Sequence, residues 1–154
     1  MNSLALFVAT VGRTGYVRFA PGTAGSAVGL AIYLAMHYLG LPAATQVGFT
    51  VVVILIGTWA AAEAARHFQQ EDPSQVVVDE VAGQLVTLVL TGARLQGAVI
   101  GFLIFRALDV IKPWPSGHLE RMHGGVGIMA DDVMAGVYGN IILRLLIRFV
   151  PIGW

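Results

Sequence analysis

From Phe19 to Ala62 the chain carries no Asp, Glu, Lys or Arg, and apolar residues fill that run almost without a break. A surface helix shows one apolar stripe with charges opposite it, and this run has no charged face. It is too long for one buried core helix, and it accommodates two membrane passes of about 20 residues each. "LGLP", with Gly40 and Pro42, supplies the turn between them.

The same reading continued along the chain predicts five apolar helices, at about 26–41, 45–66, 72–91, 96–112 and 131–150. Asp72 is the expected N-cap of the third and Pro73 its first residue, and Pro113 stops the fourth. "MNSLALFVATV" is apolar but short and has no basic stretch before it, so it reads as a short docking or interfacial helix rather than a cleaved leader. Gly25/Gly29 and Gly97/Gly101 repeat at the spacing that lets helix backbones approach closely. The expectation is an all-α integral membrane bundle of five hydrophobic helices plus a short N-terminal one, in a single domain over 1–154.

Composition sharpens this picture. The 154 residues are 56% hydrophobic and only 12% charged, against about 25% charged in ordinary soluble domains, and the mean hydropathy is +0.76. Net charge is zero and no basic stripe is present, which argues against a nucleic-acid partner. The absence of cysteine excludes disulfides, thiolate metal sites and cysteine nucleophiles.

If the five helices alternate across a bilayer, the N-terminal segment and the 2–3 and 4–5 loops share one side, with Arg13, Arg18, Arg66, Lys112 and Arg121. The other side holds Arg94, Arg144 and Arg148. The excess of basic residues places the first side in the cytoplasm.

That alternation also gathers charge. Asp79 and Glu80 in the third helix, Arg106, Asp109 and Lys112 near the end of the fourth, and Asp131 and Asp132 at the start of the fifth all fall at one face. Capping needs one aspartate, not the pair at 131–132. Asp79 and Glu80 lie about two turns inside a helix begun at Asp72, so capping does not explain them. Asp109 lies three residues from both Arg106 and Lys112 and can pair with either. Five carboxylates against two cations leave an excess of negative charge that is costly to bury. Such a cluster takes up protons or binds a cation, and hard oxygen ligands suit Mg²⁺. The competing class is a small cation transporter or channel subunit with a carboxylate ion path. It calls for acids at mid-membrane on facing repeats, and no repeat is visible.

A phosphate ligand has its own candidates. Arg106 can grip phosphate oxygens in pairs, and Lys112 acts as a point charge. "PGTAGS" offers Thr23, Gly25, Ser26 and a helix N-terminus. His123, in "HGGVG", is a candidate proton donor or phosphate contact.

Taken together, "PGTAGS", "VVVDEVAG", "GFLIFRALDVIKPWP" and "HGGVGIMADDVMAG" resemble the phosphatidylglycerophosphatase A family. The resemblance extends in order over most of the chain and is most specific from Gly101 to Gly136. It implies a Mg²⁺-dependent phosphatase of the bacterial inner membrane that converts phosphatidylglycerophosphate to phosphatidylglycerol and inorganic phosphate. With the alternation of the five helices and the excess of basic residues on one side, the expectation is a multi-pass protein whose active site faces the cytoplasm. Asp79, Glu80, Asp131 and Asp132 match the acidic, metal-associated motif residues, and Arg106, Asp109 and Lys112 match the "FRxLDxxKPWP" part. "PSGH", at 115–118, matches one motif of the metal-independent type 2 phosphatidate phosphatases, but the other motifs of that superfamily do not follow.

Overall fold

The computed structural model describes residues 3–114, 122 and 124–150. Among them are six α-helices, one short 3₁₀ turn and no strand. The helices are α1 (Ser3–Ala9), α2 (Pro21–Tyr38), α3 (Ala43–Phe68), α4 (Val78–Leu88), α5 (Leu95–Ile111) and α6 (Gly125–Phe149), and the 3₁₀ turn is Thr14–Tyr16. The all-helical expectation holds. Only α3 and α6 are both long and apolar enough to cross a membrane.

α4 is the centre of the molecule. It packs on α2, α3, α5 and α6, and nearly every one of its residues is buried. At 11 residues it is about 16 Å long, roughly half of a hydrocarbon core, so the expected third span is a half-length buried helix. Asp72 and Pro73 do not begin a helix; they lie in an irregular stretch that runs from Gln70 to Val77. Asp79 and Glu80 are therefore in the first turn of α4 rather than two turns inside.

A second boundary moves in the opposite sense. α6 begins at Gly125, with Gly124 as its N-cap, six residues before the expected start at Asp131. Neither Asp131 nor Asp132 can cap the helix, and both are buried within it. The expected α2 start at 26 likewise moves back to Pro21, a proline in the first helical position.

Close backbone approaches set the helix directions. A Cβ on Gly25 would stand 2.8 Å from the Val77 carbonyl oxygen, and one on Gly29 2.9 Å from that of Val81, so α2 lies parallel to α4. A Cβ on Gly136 would meet the Gly83 oxygen at 2.5 Å, and one on Gly139 the Thr87 Oγ1 at 2.9 Å, so α6 is parallel to α4 as well. Gly101 of α5 faces Leu88 and Leu143, while Phe105 lies against Gly83, which makes α5 antiparallel to both. α3 also runs counter to α6, because Gly57 meets Met129 and Thr58 meets Gly125. The N-termini of α2, α4 and α6 thus gather at one end.

The outer surface is apolar. Val51, Val52, Leu55, Ile56 and Trp59 of α3 are exposed, as are Val99 and Leu103 of α5 and Ile141 and Leu145 of α6. Their three- and four-residue spacing makes stripes that face outward, as expected of helices solvated by lipid. α1 docks on α3, with Ala5 and Ala9 wholly buried, in keeping with a short docking helix. The Ala9 carbonyl accepts a hydrogen bond from the Val77 N–H at 2.9 Å, which ties the irregular stretch to its place just before α4.

Candidate active site

Three helix N-termini, each carrying about half a positive charge, converge on a cavity of about 360 Å³. Ala20, Pro21 and Gly22 bring α2 to its wall, Gly124 brings α6, and Asp79 and Glu80 bring α4. Arg106, Asp109 and Lys112 enter from the end of α5, and Asp131 and Asp132 from α6. All seven charged residues singled out from the sequence therefore share one site.

The structure sorts the five carboxylates into two kinds. Asp109 forms an ion pair with Arg106 at 2.6 Å, and Asp131 one with Lys112 at 2.9 Å. Asp79, Glu80 and Asp132 remain. Each offers an oxygen, and these oxygens lie within 4.8 Å of one another. Asp79 Oδ1, Glu80 Oε2 and Asp132 Oδ2 are buried and have no hydrogen-bond partner. Buried polar atoms are almost always partnered, so three orphans in one cluster fit a site built for a cation. An all-oxygen donor set suits a hard divalent ion. Asp131, also expected among the metal residues, lines the same cavity and pairs with Lys112.

α4 is too short to span, and its first turn sits in this cavity. Burial, followed by the charges of Glu80 and Asp132, pushes the Asp79 carboxyl well above its ordinary range. Burial also raises Glu80, against the lowering effects of its hydrogen bond with Asp79 and of the Arg106 charge.

Glu80 reaches this place because residue 22 is glycine. A Cβ there would collide with Glu80 Oε1 and would come within 3.3 Å of Arg106 Nη1. Arg106 Nη1 also donates to Ser26 Oγ at 3.3 Å, and that hydroxyl donates to the Gly22 carbonyl at 2.9 Å. Ser26 is fully buried, Gly25 packs against Val77, and Thr23 is exposed. None of these three lines the cavity, so "PGTAGS" meets the site through Pro21 and Gly22. His123, Arg121 and "PSGH" lie outside the described residues.

Sequence reasoning missed several lining residues, namely Gly22, Glu71, Asp72, Ser74, Met122 and Gly124. Asp72 was masked by its resemblance to a cap. Gly22 had a signal, since it stands beside Pro21 inside a motif already singled out. Two non-glycine residues at the rim, Ala20 (φ 49) and Lys112 (φ 47), adopt left-handed backbone, and such strain tends to be held at functional sites.

An acidic cavity with an arginine and a lysine, at one end of an apolar helical bundle, is the setting that a membrane-associated phosphatase calls for. The chain belongs to the phosphatidylglycerophosphatase A family, whose family model matches residues 7–147. It is 37% identical over 148 residues to a putative phosphatidylinositol-3-phosphatase of Bacteroides thetaiotaomicron, covering 92% of each chain. It is 36% identical to the phosphatidylglycerophosphatase A of Escherichia coli, over 86% of this chain and 77% of that one. The Haemophilus influenzae phosphatidylglycerophosphatase A is 29% identical, over 93% and 88% respectively. No solved structure matches the chain.

Proposed function

We propose that the chain hydrolyses phosphatidylglycerophosphate to phosphatidylglycerol and inorganic phosphate, with Mg²⁺ as cofactor, at the cytoplasmic face of a bacterial inner membrane. The observation that carries this reading is the trio of orphaned carboxylate oxygens of Asp79, Glu80 and Asp132, set beside Arg106 and Lys112 in one cavity. Membership in the family supports the substrate.

Asp79, Glu80 and Asp132 would hold the cation, which supplies charge neutralisation at phosphoryl oxygens and a more acidic bound water. The rest follows from the chain's own residues. Arg106, steadied by Asp109 and Ser26, grips the non-bridging oxygens and stabilises the charge that develops on them. Lys112, steered by Asp131, adds a second positive charge. Asp109 and Asp131 thus act as positioning residues. The first-turn amides of α2 and α6 face the same anion. Ile128 and Val76 close the wall with apolar surface and limit water.

The placement is multi-pass, with the site at the interface. Diacyl chains then remain in lipid beside the apolar flanks of α3, α5 and α6, while the phosphate reaches the polar cavity. The likeness to a putative phosphatidylinositol-3-phosphatase makes the headgroup the second variable to test. Purified protein is assayed for phosphate release from phosphatidylglycerophosphate and from phosphatidylinositol 3-phosphate, each with Mg²⁺ and with EDTA. The expected result is Mg²⁺-dependent release from phosphatidylglycerophosphate at a kcat/KM at least about tenfold above the inositol lipid, a discrimination of about 1.4 kcal/mol. Release unchanged by EDTA would remove the cation from the mechanism, and a preference for the inositol lipid would replace the substrate.

A further inference from the structure

The end of the bundle away from the carboxylates holds a second charged site. α6 and the turn after α4 enclose a cavity of about 420 Å³, lined by Leu90, Thr91, Arg144, Ile147 and Arg148. We propose that this cavity binds the phosphate of an anionic phospholipid, gripped by Arg144 and Arg148 in the leaflet opposite the active site.

Arg144 is aimed by its surroundings. Asn140 Nδ2 lies 3.0, 3.0 and 2.9 Å from the carbonyl oxygens of Val86, Thr87 and Val89. Those contacts fix the amide, so its Oδ1 points away from α4 and accepts from Arg144 Nε at 2.7 Å. With Nε engaged, the guanidinium plane is set and the Nη edge is left for a ligand. Paired N–H groups of that kind match phosphate oxygens. Arg148 follows one turn later on the same face of α6.

The wall opposite is rigid. Tyr33 Oη donates to the Ala93 carbonyl at 3.0 Å, and Thr91 Oγ1 donates to the Leu88 carbonyl at 2.7 Å. Leu90 is held at φ 60, backbone that a bulky L residue rarely adopts, and it stays half exposed at the cavity.

Among the described residues, the charge at this end is unbalanced. Arg94, Arg144 and Arg148 all lie here, whereas every described Asp and Glu belongs to the other end or to the stretch leading into it. The C-termini of α2, α4 and α6 contribute only about half a negative charge each, which does not offset three guanidinium groups. Leu95, Leu145 and Phe149 are exposed around the arginines. Cations rimmed by apolar side chains suit a ligand with an anionic head and hydrocarbon tails, and free phosphate would leave that apolar rim unused.

The test is native mass spectrometry of full-length, detergent-purified protein. The protein is titrated with phosphatidylglycerol, with phosphatidylcholine of the same chains, and with inorganic phosphate as competitor. The wild type is expected to retain one more phosphatidylglycerol than Arg144→Gln/Arg148→Gln. Affinity is expected to fall roughly tenfold per arginine removed, and phosphatidylcholine to bind weakly. Arg148→Gln alone keeps the Asn140 contact intact and so separates binding from folding. Arg144→Lys is expected to retain less than half of the lost affinity, because the planar fork is gone. Phosphate release from micellar substrate should stay within about twofold in all three variants, since neither arginine lines the active-site cavity.

Phosphatidylglycerol binding that is unchanged in the double variant, or lost only in Arg106→Gln, would overturn the proposal. Displacement by inorganic phosphate at equal concentration would do so as well. The inference rests on the membrane placement proposed above, and the two fail differently. Recovery of the protein without detergent ends that placement, whereas an active, detergent-requiring protein with unaltered lipid binding ends this inference alone.

Discussion

Both ends of the bundle bury polar groups, and they treat them in opposite ways. Where α4 ends, its last carbonyls are collected by Asn140, and Tyr33 is anchored on Ala93. Where α4 begins, Asp79, Glu80 and Asp132 keep oxygens with no partner. Satisfied buried groups hold a fold together, while orphaned ones cost stability and persist where a ligand completes them. Lack of a partner alone does not single out that end, since the Gln84 amide is also buried without one and lines no part of the cavity; what distinguishes it is three such carboxylate oxygens gathered within 4.8 Å.

The sharpest way to break this contrast is to neutralise the orphans. Asp79→Asn or Asp132→Asn should lower phosphate release by about a thousandfold or more, as loss of a charge that acts on the transition state does. Thermal stability should stay level or rise, because the cost of keeping an ionisable carboxyl buried is removed. Activity near wild type in both variants would show that the three oxygens are not the reactive centre.

Gly22→Ala probes the same end through geometry. The added methyl strikes the flexible end of Glu80 rather than backbone, so the carboxylate should move while the fold persists. Release should fall about 10- to 100-fold, in line with the effect of a small misplacement, with little change in melting temperature. In Gly29→Ala the methyl meets Val81 backbone and Gln84, and the expected loss is stability, about 1–3 kcal/mol. If the two variants lost activity and stability in equal proportion, Gly22 would have no special tie to the site.

Asn140→Ala tests the satisfied end. Leaving the carbonyls of Val86, Thr87 and Val89 without their donor should cost about 1–3 kcal/mol in chemical or thermal unfolding. Activity per folded molecule should stay within about twofold. A large drop in kcat without unfolding would mean that the two ends are coupled through α4.

The smallest effect is one of pH. Asp79 and Glu80 are raised by burial in the folded protein, so without a cation the native state keeps protons that the unfolded chain has released. That stabilising contribution is complete below about pH 4, the range of unfolded carboxylates, and is lost as pH rises through the folded values. In EDTA the melting temperature should decline by a few degrees from about pH 5 to pH 8, and Mg²⁺ should restore more at pH 8 than at pH 5. A metal-free profile that climbed over this range would contradict the burial of these acids.

Much of this was legible in the chain. The uncharged run from Phe19 to Ala62, the turn at Gly40 and Pro42, and the helical packing of Gly25 and Gly29 all follow from local chemistry. The seven charged residues of the site could be gathered from helix alternation alone, because helix periodicity and direction are properties of the sequence. Helix starts were less legible. "EDPS" has the residues of a cap but occupies an irregular stretch, and α6 begins at glycines that carry no capping side chain.

By itself, then, the sequence determined an all-helical, apolar protein and brought together the seven charged residues that share the cavity. Only the tertiary structure decided which side chain each carboxylate meets. Asp131 and Asp132 are neighbours in sequence but about 100° apart around α6, so one turns to Lys112 and the other to Asp79 and Glu80. The tertiary structure also shortened the third helix to a buried half-length and brought three helix N-termini to one cavity. Those outcomes depend on which faces pack across distant segments, and no local pattern encodes that.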